Sequence, residues 1–205
     1  MKKLIGVVFG LLLTPMVWAA NFQEGVHYKT VNAAPVTGNP TVTEYFSYYC
    51  GHCYNFAKQY SASIKTGLAE GITFEQAHVD FINGGGPNSG TTMSRAQAVA
   101  QVLNVIDPIE MALFSAIHDG KNPLGTNDSV KQVFVDNGVS ATDYENAAKS
   151  FHANALVKKW KQDQSSSSIR GVPALVVNHK YQVEMGSITS MAQLQELLNY
   201  LAMKK

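Results

Sequence analysis

Cys50-Gly51-His52-Cys53 is the run in this 205-residue chain whose residue types and spacing could carry covalent chemistry, and it holds both cysteines of the sequence. Two thiols three positions apart can close on one another when the residues between them begin a helix, because positions i and i+3 share a side. The flanking sequence predicts that setting. A strand-like run over residues 42–49 ends on Cys50, and Cys53, Phe56, Tyr60, Ile64 and Leu68 then recur at helical spacing. A cysteine at a helix start faces backbone N–H groups that lack intrahelical acceptors and the positive end of the helix dipole, so it holds a thiolate better than one in water. His52 could add a hydrogen bond or a positive charge to the Cys50 sulfur. With no further cysteine in the chain, the pair belongs to no disulfide framework and no four-cysteine metal site.

Other chemistries fit the sequence poorly. Tyr54 follows Cys53 where a c-type haem attachment needs histidine, and the six scattered histidines give no ligand pair at zinc spacing. The glycines of residues 83–90 could suggest a phosphate cradle, but no Gly-Lys-Ser/Thr follows them, and a hinge-like loop is expected there. No metal and no cofactor is expected.

Lys2 and Lys3, an apolar run over residues 4–13 that is too short to span a membrane, and Val17-Trp18-Ala19 ahead of a cut after Ala19 read as an export signal over residues 1–19. Its removal leaves 14 basic against 15 acidic residues, a net charge of −1, which gives no reason to expect nucleic acid or an anionic membrane as a partner. Export also permits disulfides to form and persist.

The elements that must position the cysteines follow from periodicity. Short strands are expected over residues 27–31 and 72–81 on either side of the central strand and its helix. From residue 83 the pattern turns helical. One stripe runs through Ala96, Val99, Leu103 and Ile106; a second helix is expected to start at an Asp107 cap with Glu110 closing a capping box. A third carries Val130, Val133 and Phe134, and a long fourth runs from a Ser140 cap through Tyr144, Phe151 and Ala155 to Trp160. Residues 174–177 and 180–183 around Asn178-His179 read as a hairpin, and a last helix starts at Ser190. Without the helical block the order is strand, strand, helix, strand, then strand, strand, helix. The expected architecture is an α/β thioredoxin-like fold with an inserted all-helical subdomain: residues 20–82 and 161–205 as its two halves, and residues 83–160 as the insertion.

Glu44-Tyr45-Phe46-Ser47-Tyr48-Tyr49 leading into the cysteine motif, His78-Val79-Asp80-Phe81, and Arg170-Gly171-Val172-Pro173-Ala174 with Val177-Asn178 and Lys180-Tyr181-Gln182 together resemble the DsbA-type periplasmic thiol:disulfide oxidoreductases over the whole mature length. That resemblance implies a periplasmic dithiol oxidase with Cys50 as the nucleophile that joins substrate and Cys53 as the resolving thiol. It also implies Pro173 as a cis proline facing the disulfide, with Val172, Gly51 and Tyr54 beside bound peptide, and Glu44 as a buried carboxylate moving protons for Cys53. The implied partners are folding exported proteins with cysteine pairs and a quinone-linked membrane protein of the DsbB type, acting on a monomer. Three positions depart from the family pattern: Gly51 where most members have proline, Ala57 where an acidic residue is usual, and Gln76 where a lysine is usual. Gly51 lacks the fixed φ of proline and should loosen the turn, so a weaker oxidant is expected. A disulfide isomerase or reductase of the same fold, suggested by Gly51-His52, and a non-catalytic peptide-binding chaperone remain as alternatives.

Overall fold

The computed structural model describes residues 22–32 and 37–204, so the expected export signal lies outside the described residues. In chain order the elements are β1 (Tyr28–Thr30), β2 (Thr41–Phe46), α1 (Gly51–Phe56), a π-helical segment (Ala57–Ser61), α2 (Ala62–Gly67) and β3 (Thr73–His78). Five helices follow: α3 (Ser89–Val102), α4 (Ile106–His118), α5 (Asn127–Asp136), α6 (Ala141–Lys149) and α7 (Phe151–Ser166). The chain then returns through β4 (Ala174–Val177), β5 (Tyr181–Val183) and α8 (Met191–Met203).

The five strands form one mixed sheet in the order β1-β5-β4-β2-β3. β2 lies between a parallel β3 and an antiparallel β4, with Thr43 opposite both Glu75 and Val176. Helices cover both faces of this strand. Val42 packs with Ile64, Leu194, Leu197 and Leu198 on one side, while Tyr45 packs with Ala98, Ala153 and Trp160 on the other. Each large apolar side chain so buried contributes about 1.5–3 kcal/mol. Every residue of β2 after Thr41 is buried, Glu44 included. The connection between β4 and β5 spans residues 178–180, with Asn178 and His179 both at positive φ, as at the two central residues of a type I′ turn.

Four expectations need correction. The central strand stops at Phe46, and residues 47–49 form a tight turn that aims the next residue into the α1 start. α4 begins two residues earlier than its Pro108 suggests: Val105 is the cap, Asp107 lies in the first turn, and Glu110 is buried. Burial of Glu110 against Gln76 takes the side chain a capping box would need. The long fourth helix is two helices. Ser150, at φ −64° and ψ 153°, ends α6 and caps α7 by accepting from the Ala153 N–H, which leaves Phe151 82% exposed and Ala155 outside the apolar face. α7 then runs to Ser166, across the boundary expected after residue 160.

The π segment has a consequence for the site. One wider turn shifts the phase of the helix, so Tyr60, expected on the apolar stripe, is carried out to 42% exposure while Ser61 turns inward to 4%. In the loop after β3, Gly85 and Gly125 touch so closely that a β-carbon on Gly125 would fall 1.8 Å from the Gly85 carbonyl oxygen.

Candidate active site

Cys50 is the N-cap of α1, with extended backbone (φ −95°, ψ 109°) and a sulfur that accepts from the Cys53 N–H at 3.2 Å. This is the capping arrangement of a serine or aspartate carried out by sulfur. Both cysteines are free thiols; Cys50 is half-buried and Cys53 fully buried. The Cys50 thiol is lowered to about 6, first by the hydrogen bond from Cys53, against desolvation, and then by the backbone N–H groups of Cys53 and His52 and the charge of His52. Cys53 moves the other way, raised by its bond to Cys50 and by burial. Neighbouring sulfurs are thus assigned different roles by their surroundings: the outer is a thiolate at neutral pH, the inner a thiol.

Across from the pair, the Val172–Pro173 peptide bond is cis, and the Val172 carbonyl oxygen lies 3.4 Å from the Cys50 sulfur. His118, at the end of α4, closes the opposite side. Its Nε2 lies 2.9 Å from the Tyr48 carbonyl, and a β-carbon added at Gly51 would meet its ring at 3.9 Å. Tyr54 stacks on His118 with centroids 5.3 Å apart, its hydroxyl donates to Asp119 at 2.5 Å, and Lys58 lies 3.8 Å from its ring centroid. The first turn of α1 is therefore clamped to the end of α4. Behind it, His78 Nε2 accepts from the Tyr48 N–H at 3.2 Å, and its Nδ1 lies 2.9 Å from the Ser94 hydroxyl. Burial lowers this histidine to about 3, so it is neutral at neutral pH.

Beneath Cys53 lies a buried polar nest. Glu44 Oε2 accepts from Ser61 Oγ at 3.3 Å and from Gln76 Nε2 at 3.2 Å, and the same Gln76 nitrogen donates to Glu110 Oε1 at 2.5 Å. Burial, then the charge of Glu110, raises Glu44 to about 8. Burial raises Glu110 as well. Glu44 in turn pushes Cys53 upward.

The structure brings Cys50, Gly51, His52, Val172 and Pro173 together at one surface, with Cys53 buried behind Cys50 and within electrostatic reach of Glu44. It does not leave Tyr54 open for substrate contact: only 8% of that side chain is exposed, and its hydroxyl is taken by Asp119. The exposed His52 ring acts on Cys50 by charge, while its backbone N–H supplies the hydrogen bond. Sequence reasoning missed Glu110, Ser61 and His118. A glutamate directly beside the apolar Ile109 on the α4 stripe was a signal for Glu110; nothing local marks the π turn that delivers Ser61.

A family model described as a DSBA-like thioredoxin domain matches residues 41–199. The thiol:disulfide interchange protein DsbA of Salmonella typhimurium is 36% identical over 213 residues covering all of both chains, and that of Escherichia coli K12 is 33% identical over the same span. The crystal structure of the disulfide oxidoreductase DsbA from Proteus mirabilis covers 90% of this chain and 98% of its own, with 34% identity and a TM-score of 0.81. A complex of that Proteus protein with a non-covalently bound peptide aligns with a TM-score of 0.82. With the cysteine pair at the head of α1 and a cis proline opposite it, the chain belongs to the DsbA-like thioredoxin-domain family and is a thiol:disulfide oxidoreductase.

Proposed function

We propose that this protein works in the periplasm, after removal of residues 1–19, and donates a Cys50–Cys53 disulfide to exported proteins as they fold. A client thiolate attacks the Cys50 sulfur, the S–S bond breaks, and Cys53 leaves as a thiolate that takes a proton from Glu44. A second client thiolate then attacks the client sulfur of the mixed disulfide and expels Cys50 as a thiolate. Two electrons pass from client to protein, and the client gains one disulfide. Reoxidation by a quinone-linked membrane protein of the DsbB type reverses the flow, with Cys53 returning its proton to Glu44 before closing on Cys50. A client segment pairs in strand fashion with the backbone around Val172 and Pro173, beside Cys50 and just ahead of β4, and Gly51 leaves room for it.

The observation that carries this reading is the unequal pair: Cys50 half-exposed and capped by the Cys53 N–H, Cys53 fully buried behind it. An anion held at Cys50 favours the dithiol form over the disulfide, so the disulfide is given away. The test combines two variants with one equilibrium. Cys50→Ser abolishes oxidation of a reduced dithiol peptide, Cys53→Ser accumulates the mixed disulfide, and the wild-type couple is more oxidising than glutathione. A couple more reducing than glutathione rules out the oxidase direction.

A further inference from the structure

We propose that Glu110, a residue of α4 outside the thioredoxin-like elements, is a positioning residue for the Cys53 step: its carboxyl shares the Gln76 amide with Glu44 and sets how firmly Glu44 holds the proton it exchanges with Cys53. This rests on the reading of Glu44 as the proton partner of Cys53.

The geometry supports the assignment from several sides. Glu110 is 6% exposed and Glu44 1%, and a single nitrogen, Gln76 Nε2, donates to both at 2.5 and 3.2 Å. One amide therefore solvates two buried carboxyls, and the cost of charging both at once falls on the pair. At this sheet position a glutamine can donate to both groups without adding a charge, so neither carboxyl is neutralised by an ion pair at Gln76. The surrounding titratable groups are few. Cys53 lies above on α1, Tyr48 is in the turn before it, Lys65 projects from α2, and Asp107 lies one turn before Glu110 on α4. Lys65 pulls both carboxyls toward ionisation and is itself paired with Asp107 at 3.6 Å. A cleft of about 370 Å³ bounded by Lys65, Phe74, Gln76, Ile106 and Asp107 reaches Gln76, the residue that joins the two carboxyls, and neither carboxyl lines it. Ser61, delivered by the π turn, accounts for the remaining bond to Glu44.

Two variants with opposite charge effects test this. Glu110→Gln removes the neighbouring negative charge with little change of shape, and Lys65→Met removes the neighbouring positive one at a partly exposed position. The readouts are the 13C titration of the Glu44 carboxyl in the reduced protein and the pH dependence of the rate at which Cys53 resolves a Cys50–glutathione mixed disulfide. Glu110→Gln moves both midpoints down by about one pH unit, Lys65→Met moves both up, and Glu110→Asp, which keeps the charge, brings them back toward wild type. In a Glu44→Gln background, Glu110→Gln leaves the rate profile where it was. Unmoved Glu44 midpoints in the folded Glu110→Gln and Lys65→Met proteins overturn the proposal, as does a shift of the rate profile that persists without Glu44. The carboxyl titration is read equally well in Cys50→Ser protein, so a failure of the redox reading does not masquerade as a failure of this one.

Discussion

At the scale of single residues, the site separates two identical thiols by giving one of them donors and the other burial. The Cys50 sulfur sits where a helix needs an acceptor, so the protein's own backbone stabilises its anion. An acidity of about 6 leaves most of Cys50 ionised at pH 7, against a small fraction for an ordinary cysteine. Had Cys50 an acidity of about 5, the stabilisation of the reduced form at pH 7 would approach 2.7 kcal/mol, or about 60 mV. At about 6, and with a sulfur that solvent still screens, it comes to about 1 kcal/mol, or about 20 mV. The share of His52 is the smallest of those acting on Cys50 and is delivered by charge across exposed space. His52→Ser therefore raises the midpoint of the thiolate absorbance titration by about half a unit, leaving the backbone donors to supply the rest. A midpoint that does not move removes the imidazole from the account.

At the scale of elements, the first turn of α1 is where the sequence was expected to differ from the family pattern, and the local geometry already suits a proline there. Gly51 occupies the first helical position, where an N–H has no intrahelical acceptor. Cys50 before it, at φ −95° and ψ 109°, is in the extended region that a residue preceding proline adopts. A β-carbon at position 51 meets only the His118 ring, at an ordinary contact distance of 3.9 Å. Gly51→Pro should therefore stabilise the reduced protein by about 0.5–1 kcal/mol in urea unfolding and make the couple more oxidising in equilibrium with glutathione. A potential that is unchanged or lower would disconnect the turn from the redox strength. The same element shows how far the sequence could be read. Cys50 and Cys53, the helix after them and the return hairpin follow from spacing and turn residues that are local in the chain. The burial of Glu44 does not, because strand alternation gives its parity and only the covering of both faces of β2 decides that either parity is inside. Glu110 was hidden by a stronger local rule: Asp107, Pro108 and Glu110 have the composition of a capping box, and a contact to β3, far away in sequence, overrode it. The break at Ser150 was hidden by the long helical period around it.

At the scale of the whole molecule, the groups that serve the cysteines also set how stability depends on pH. Glu44 is raised by burial to about 8, so the folded state favours its neutral form. Its contribution is complete below about pH 4.5 and is lost as pH rises toward 8. Replacing it with glutamine should raise stability above pH 8 by a few kcal/mol and leave it unchanged near pH 4, read as the difference in urea midpoints at the two pH values. His78 acts at the other end, its neutral form favoured above 6.5 and its contribution lost as pH falls toward 3. Both groups titrate in either redox state, whereas Cys50 titrates only in the reduced one. Its pKa is lowered in the folded reduced protein, from 9 to about 6, so its contribution is present in full above 9 and disappears as pH falls through 6. Cys53, raised, loses its own contribution only above 9, outside that window. In the disulfide form neither sulfur titrates. The stability of the reduced protein relative to the oxidised one must therefore climb between pH 6 and pH 9, by about 1–2 kcal/mol once screening at the half-exposed sulfur is allowed for. Paired melting curves of the two forms across that range measure the climb directly. A difference that stays flat would mean that Cys50 is no more acidic folded than unfolded, and the preference for giving its disulfide away would need another source.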